Sequence, residues 1–505
     1  MTAAVISTTA ELRVQAEGLY ALSHADAADA IRRVRELRVE PALASHLQSI
    51  QASLLIDIGS EAKRKDAVEE GVGLARQLTA ARPESDECRY NLANGLIALA
   101  DLDSTRWPSW LFATREIRRE ARTLMEVVCR TEDLNLATQA LTNLGNALDR
   151  SYRWSEAFDV YVDALSVDPT NSVAAMAAAE MLLRCASRGI GKPEALRRVA
   201  MRYAKIARAN RERVLELAGP AGVAALDKLP DGESAPKLDV SGLKPYLRFV
   251  AEHHLALVPT IEGLDPKLRR WDSLLIHSIT EPLGSPAAPP PLLAMLNTIK
   301  AGYLAARRLA YRALSVRERQ TGLYADTLDY ALYGTDVASL LLAQRAAVDV
   351  LDQIAVALND YLGLGLGVRQ VDFAKLWRDK DKLAWRPELE AEIAAGNSAV
   401  VALGELAEDL SSGFLKAKLE ARNSSTHRFT VLHDEALGRS RPCEAIEHRD
   451  YSAFVDETIA TLKAVRAAIL YFVEIVTLRE HRLHHDEQTR LPLYVPAHHD
   501  IRHDR

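Results

Sequence analysis

Only four cysteines occur in 505 residues, Cys88, Cys129, Cys185 and Cys443, and no two have the spacing of metal ligands. That scarcity excludes a disulfide-stapled scaffold and a thiolate zinc site, so reduced thiols in a cytoplasmic protein are expected. The first ten residues, Met1 to Ala10, lack a basic region followed by an apolar stretch, and no secretion signal is read there. Long apolar runs are missing as well. The longest near the end, Ala464–Leu478, is interrupted by Arg466 and Glu474 and is too short and too polar to span a bilayer, so no membrane partner is expected. Positive charge is not in excess either. A net charge of −6 argues against a whole-protein basic footprint, and any nucleic-acid contact must be a local patch. Several motif classes are absent: a phosphate-cradling loop before Lys-Ser/Thr, His-Glu-x-x-His, and the Gly-x-Ser-x-Gly elbow. The glycine run Gly363-Leu-Gly-Leu-Gly367 follows a helical pattern and reads as a helix stop, not a dinucleotide loop. No cofactor and no metal is expected.

What is present is globular and helical. Hydrophobic residues make up 48% and charged ones 26%, which separates the chain from disordered sequences, and its length suits two to four units. Thr138 to Asn171 is a 34-residue repeat: Leu141, Leu144, Gly145 and Leu148 on a first helix, then Ala157, Tyr161, Ala164 and Pro169. Small residues fall where two helices must approach closely, which is the tetratricopeptide pattern. Looser copies flank it. Asp86–Ala100 pairs with Ala113–Cys129 after a Trp107-Pro-Ser-Trp110 insertion, Ala67–Thr79 is the second helix of an earlier pair, and Ser172–Cys185 pairs with Pro193–Ala209 through Gly189-Ile-Gly191. Three to five such pairs can bury a continuous core, and the concave face of such an array binds a protein or peptide or serves as a scaffold.

Gly219–Pro245 shifts to turn formers without periodicity and reads as a linker. A second break, Pro282–Pro291, is stiffened by prolines. Beyond it, apolar residues recur at intervals of three and four over Leu292–Arg317, Val337–Tyr361, Ser398–Leu410 continuing by a turn into Gly413–Ala421, and Tyr451–Arg482. Four buried stripes predict a four-helix bundle. The fold class is therefore all-α: helical repeats over 1–218, a linker over 219–245, a helical domain over 246–480 and a tail over 481–505. Six tail histidines (481, 484, 485, 498, 499 and 503) could hold a metal, but without Cys partners and in a Pro-broken, charged context an unstructured tail is predicted. Trp377 and Trp385 could stack on bases or pack a helical core.

The candidate site is Leu419-Glu-Ala-Arg422-Asn423-Ser-Ser-Thr-His427-Arg428-Phe429. A guanidinium can stabilise charge on a phosphate, an imidazole moves protons near pH 7, and the amide can orient either. Asn423 and His427, four apart, share a face of an unbroken helix, whereas Arg422 and His427 point roughly 140° apart. For both to reach one phosphate, the helix must end between them or a second subunit must complete the site. Spacing alone is common here. Arg-x4-His recurs at Arg248/His253, Arg428/His433 and Arg479/His484, and composition gives about two such Lys/Arg pairings by chance. The 422/427 copy differs by its Asn and by lying between two long apolar helices. Lys416, Lys418 and Arg428 add local positive charge for an RNA backbone. On the second bundle helix, Arg345, Asp349, Asp352 and Asn359 form a polar file that could support His427 or Arg422, or simply face solvent.

This arrangement resembles the HEPN superfamily, four-helix-bundle proteins many of which are metal-independent ribonucleases whose signature is Arg, a polar residue, then His after four intervening positions. Asp336–Tyr361, Val371–Trp377 and Ala402–Leu410 resemble segments of a bacterial branch with tetratricopeptide repeats upstream, and the likeness runs from about Lys244 to Glu480. At two positions past the histidine stands Phe429, where many relatives carry the Tyr that nucleotide transfer modifies, which argues against such control here. The resemblance implies catalysis by Arg422, Asn423 and His427, cleavage of RNA to 2′,3′-cyclic phosphate ends, a homodimer formed through the bundle, and a toxin or phage-defence role. The alternative is a non-catalytic scaffold in which an inactive bundle follows a protein- or peptide-binding repeat array.

Overall fold

The structure, a computed structural model, describes residues 5–264, 271–282, 290–316, 322–378, 384–416, 429–434, 443–483 and 490–494. The chain divides into two compact units, residues 1–148 with 160–171, and residues 149–159 with 172–505.

The first unit is built of helix pairs. Helices α1 (Thr9–Ser23) and α2 (Ala27–Glu36) precede α3 (Ala44–Glu61) and α4 (Lys65–Ala81). Then come α5 (Asp86–Asp101), the short α6 (Trp110–Ala113) and α7 (Arg115–Val128). Helices α8 (Leu134–Arg150) and α9 (Trp154–Val167) cover the repeat that the sequence shows best. Glycine closes the seams. A Cβ at Gly71 would meet Ala52 O at 2.9 Å, one at Gly95 would meet the Ile56 side chain at 2.7 Å, and one at Gly145 would meet the Tyr161 ring at 2.5 Å. Real contacts of that length do not occur, so each pair depends on a missing side chain. The α3–α5 seam is filled by Ile56, Val72, Leu92 and Leu96. The Trp107–Trp110 insertion folds back, with Trp110 Nε1 donating to Ala100 O at 2.9 Å and Arg118 stacked 4.8 Å over its ring.

In the second unit, α10 (Ser172–Ser187) and α11 (Pro193–Ala209) are joined through Gly189 and Gly191, both left-handed. The linker expected over 219–245 is corrected here. Helix α12 (Arg211–Lys228) runs through its first part: Gly219 takes φ 63°, and Pro220 opens a new helical stretch, so these turn formers kink a helix instead of ending one. The stretch that follows lies along α11, with Ala235 N donating to Arg198 O at 2.9 Å. A short α13 (Pro245–Glu252) then leads to β1 (Ser278–Pro282).

The four expected bundle helices are α14 (Pro291–Ser315), α15 (Thr335–Leu362), α17 (Ser398–Ser412) and α18 (Tyr451–Leu483), with α16 (Pro387–Ala394) beside α17. Helix α18 is central and packs on α14, α15 and α17. Nearly every residue from Ala464 to Val476 is buried, which is where the sequence shows its longest apolar run. The two charges in that run are satisfied. Arg466 spends all five N–H groups on Ala256 O, Ser155 Oγ, Asp159 Oδ2, Val258 O and Pro259 O, at 2.7–3.1 Å. Glu474 accepts from Trp154 Nε1 at 2.7 Å and from Arg188 at 2.9 Å. Complete pairing is what makes buried ions tolerable. Among the described residues no helix is long and apolar enough to cross a membrane.

Gly363 ends α15 in the left-handed conformation, as a helix stop requires. Trp377 and Trp385 are buried and meet edge to face at 6.0 Å; Gly404 admits them, since a Cβ there would overlap the Trp385 ring. They pack the core. Two small sheets accompany the helices. In one, β2 (Ala331–Leu332) pairs antiparallel with β3 (Phe429–His433), which pairs parallel with β4 (Ile446–Asp450). In the other, β1 pairs antiparallel with β5 (Arg490–Tyr494). The tail predicted to be unstructured from 481 therefore carries the end of α18 and, where described again, a strand held by ladder hydrogen bonds.

Candidate functional site

Helix α17 ends at Ser412, where the amides of Gly413 and Leu415 donate to Asp409 O at 3.0 and 3.2 Å. The chain is described again from Phe429, the first residue of β3. Arg422, Asn423, His427, Lys418 and Arg428 lie between these points, outside the described residues. The frame around them is clear. A helix enters the segment, and a strand leaves it two residues after His427.

The other expected site residues are described. Lys416 is exposed, as is Asp349 on α15. Asp352 is half-buried and accepts the Phe373 amide at 3.0 Å. Asn359 is buried and holds Leu366 twice, donating to its carbonyl at 2.9 Å and accepting its amide at 3.0 Å. That pairing staples the turn after Gly363. Asp409, near the end of α17, receives the guanidinium of the fully buried Arg153, which also binds Glu156.

A second cluster lies on the strand that follows the signature. In the parallel register Val431 faces His448, so His433, two residues further on, projects from the same face of the sheet as His448. The loop before β2 brings Asp329 to the same place. His433 is buried, with Nδ1 2.8 Å from Asp329 O and Nε2 2.8 Å from His448 Nδ1. A carbonyl only accepts, so Nδ1 carries a proton and, in the neutral ring, Nε2 holds the lone pair. The Asp329 carboxylate accepts from Thr327 Oγ1 at 2.5 Å and Ala331 N at 3.3 Å. The Thr327 bond above all, then the Ala331 amide and the two imidazoles, hold this carboxyl below its ordinary range against the opposing effect of burial. One donor atom from each of the three residues lies within 4.8 Å of the others. Sequence reasoning meets His433 only as a chance Arg-x4-His copy. Asp329 and His448 carry no local signal, because a short parallel pairing assembles them.

A cavity of about 290 Å³ also opens beside α18, lined by Ile190, Leu257, Leu470 and Val473, with Lys192, His277, Glu474 and His481 among its polar groups. Among the described residues, Lys416, Asp349, Asp352 and Asn359 do not line it.

Compared with known proteins, residues 284–479 match the family model described as LA2681-like HEPN. No curated protein and no solved structure matches the chain.

Proposed function

We propose, because residues 284–479 match the LA2681-like HEPN family model, that the protein is a metal-independent RNA endonuclease whose helical repeats receive a protein or peptide signal. The carrying observation is that the matched segment encloses Arg422-Asn423-x3-His427, in the connection between α17 and β3. His427 acts as general base on a ribose 2′-hydroxyl or as acid on the departing 5′-oxygen. Arg422 stabilises the charge that builds on phosphorus as the 2′-oxygen attacks, and Asn423 positions one of them. Lys416, Lys418 and Arg428 hold the backbone, and Asp349 or Asp352 on α15 orients the pair. The products carry 2′,3′-cyclic phosphate and 5′-hydroxyl ends, and DNA resists for lack of the hydroxyl.

The start of β3 at Phe429 supports this reading, because a strand takes up the chain two residues after His427. Arg422 and His427, roughly 140° apart on an uninterrupted helix, reach one phosphate through a break between them or through a second copy across a bundle interface. Superfamily membership supports a role in defence or as a toxin, with the repeats as sensor and the bundle as effector.

The test compares the full chain with His427→Ala and Arg422→Ala on RNA in EDTA, reading end groups and rate. A loss of at least roughly 100-fold in each variant is expected. Equal cleavage by wild type and His427→Ala overturns the assignment. So does equal cleavage of all-deoxy substrate.

A further inference from the structure

We propose that Asp329, His433 and His448 form a binding site for one late first-row divalent cation of the zinc class. The site clasps the loop before β2 to the strand that leaves the signature segment. It stands on residues separate from Arg422 and His427 and does not depend on RNA cleavage.

The donor set comes first. Two imidazoles and one carboxylate suit zinc, cobalt or nickel, whereas magnesium and calcium prefer oxygen. The cluster also has the outer arrangement that metal-bound histidines show. His433 Nδ1 donates to a backbone carbonyl, which fixes the tautomer and turns the Nε2 lone pair toward the other donors. That carbonyl belongs to Asp329, whose side chain is the third donor, so one residue orients one ligand and supplies another.

Distances come next. Two nitrogens on one tetrahedral zinc at ordinary bond lengths stand about 3.3 Å apart. His433 Nε2 and His448 Nδ1 are 2.8 Å apart and share a proton. Turning the half-buried His448 ring by a small angle opens the gap by the missing half ångström and replaces that proton with the cation. His448 Nδ1 gives up that proton and its Nε2 carries one instead, the other neutral tautomer, so the ring keeps its charge and the exchange balances. Three protein donors leave a fourth position for water.

The backbone supplies an independent observation. Leu328 and Tyr330, on either side of Asp329, both take left-handed φ values of 57° and 59°. Neither is glycine, and the two residues are 87% and 67% exposed, so no burial offsets the strain. What the two turns achieve is to aim both the carbonyl and the carboxylate of Asp329 at the histidine pair. Strain of this kind collects at functional sites. Aromatic stacking braces the loop, with Tyr324 and Tyr333 at 6.2 Å and Tyr333 Oη 3.3 Å from the Thr327 hydroxyl that holds the carboxylate.

The experiment titrates zinc, and cobalt as its spectroscopic substitute, into the chelator-stripped full chain without RNA. Calorimetric stoichiometry, cobalt visible absorption and thermal unfolding are read together. The tail histidines could also take metal, so the reference protein carries His484→Ala, His485→Ala, His498→Ala, His499→Ala and His503→Ala. One equivalent with tetrahedral cobalt bands and a raised melting temperature is expected. His448→Ala and Asp329→Asn should each weaken binding at least roughly tenfold and abolish the thermal shift. His448 is half-buried and Asn keeps the shape of Asp329, so both variants are expected to melt like the metal-free reference protein. Absence of zinc binding by the reference protein overturns the site. So does unchanged stoichiometry and affinity in both variants, or a variant that melts well below the metal-free reference while still binding zinc at full affinity. None of these readouts moves with His427→Ala, so this proposal and the nuclease reading fail separately.

Discussion

In the first unit many charged pairs lie outside and the seams between helices are closed by missing side chains; in the second, charges lie inside. Arg35–Glu70 and Arg76–Glu120 link neighbouring helices of the first unit across solvent-exposed faces, while Gly71, Gly95 and Gly145 let backbones touch. Buried Arg118 and Arg122 on α7 are its exceptions. The second unit encloses Arg153, Asp409, Arg466 and Glu474 against α17 and α18. The difference follows from the surfaces being joined. A helix with one apolar stripe has only one way to face a neighbour, and small residues then set how close it comes. Helix α18 is apolar on all sides over Ala464–Val476, so hydrophobicity alone leaves its rotation and height undetermined. Two buried ions eight positions apart, each with particular partners, supply the missing index.

The comparison can be broken most directly at Arg466. Arg466→Leu leaves Asp159 buried without its guanidinium and is expected to cost roughly 3–5 kcal/mol, read by urea denaturation. Adding Asp159→Leu should recover part of that loss; no recovery would mean that the ion indexes nothing and merely fills space. A smaller effect is expected from Glu474→Gln. Burial above all pushes the Glu474 carboxyl above its ordinary value of 4.5, against the Trp154 bond and the Arg188 charge. A raised folded pKa means that the stabilisation is fully present below the unfolded value and is lost as pH rises through the folded one. Wild type should therefore lose stability relative to Glu474→Gln as pH rises from about 4.5 through the raised folded value. Melting curves at matched ionic strength check this, and parallel pH profiles would refute it. The smallest effect belongs to the first unit. Arg76→Ala removes a two-pronged but half-exposed pair and should cost under about 1 kcal/mol, less still at high salt.

The helices are legible in the sequence because their signals are local. Stripes at intervals of three and four locate α14, α15, α17 and α18 to within a few residues, and the 34-residue repeat locates α8 and α9. The strands are not. β3 and β4 are five residues each and pair in parallel, so nothing within either segment announces its partner. The same limit hides the Asp329 cluster, whose members stand 104 and 15 positions apart. The linker reading fails because Gly and Pro punctuate a helix kink with the same residues that punctuate a loop. The division of the chain inside its best repeat is also invisible. Arg153, Trp154, Ser155 and Asp159 look like ordinary repeat residues, and only the folded chain shows them serving the second core. For the signature, the sequence supplies the residue types and the frame supplies its entry and exit.

The five acceptors of Arg466 come from residues 155, 159, 256, 258 and 259, all synthesised long before α18 and all outside the matched span 284–479. The boundary that homology draws is thus not a boundary at which the polypeptide can be cut. A fragment trimmed to the matched span would emerge with a guanidinium at the heart of its longest helix and nothing to receive it, so the ancestral module and the thermodynamic module of this protein are different objects.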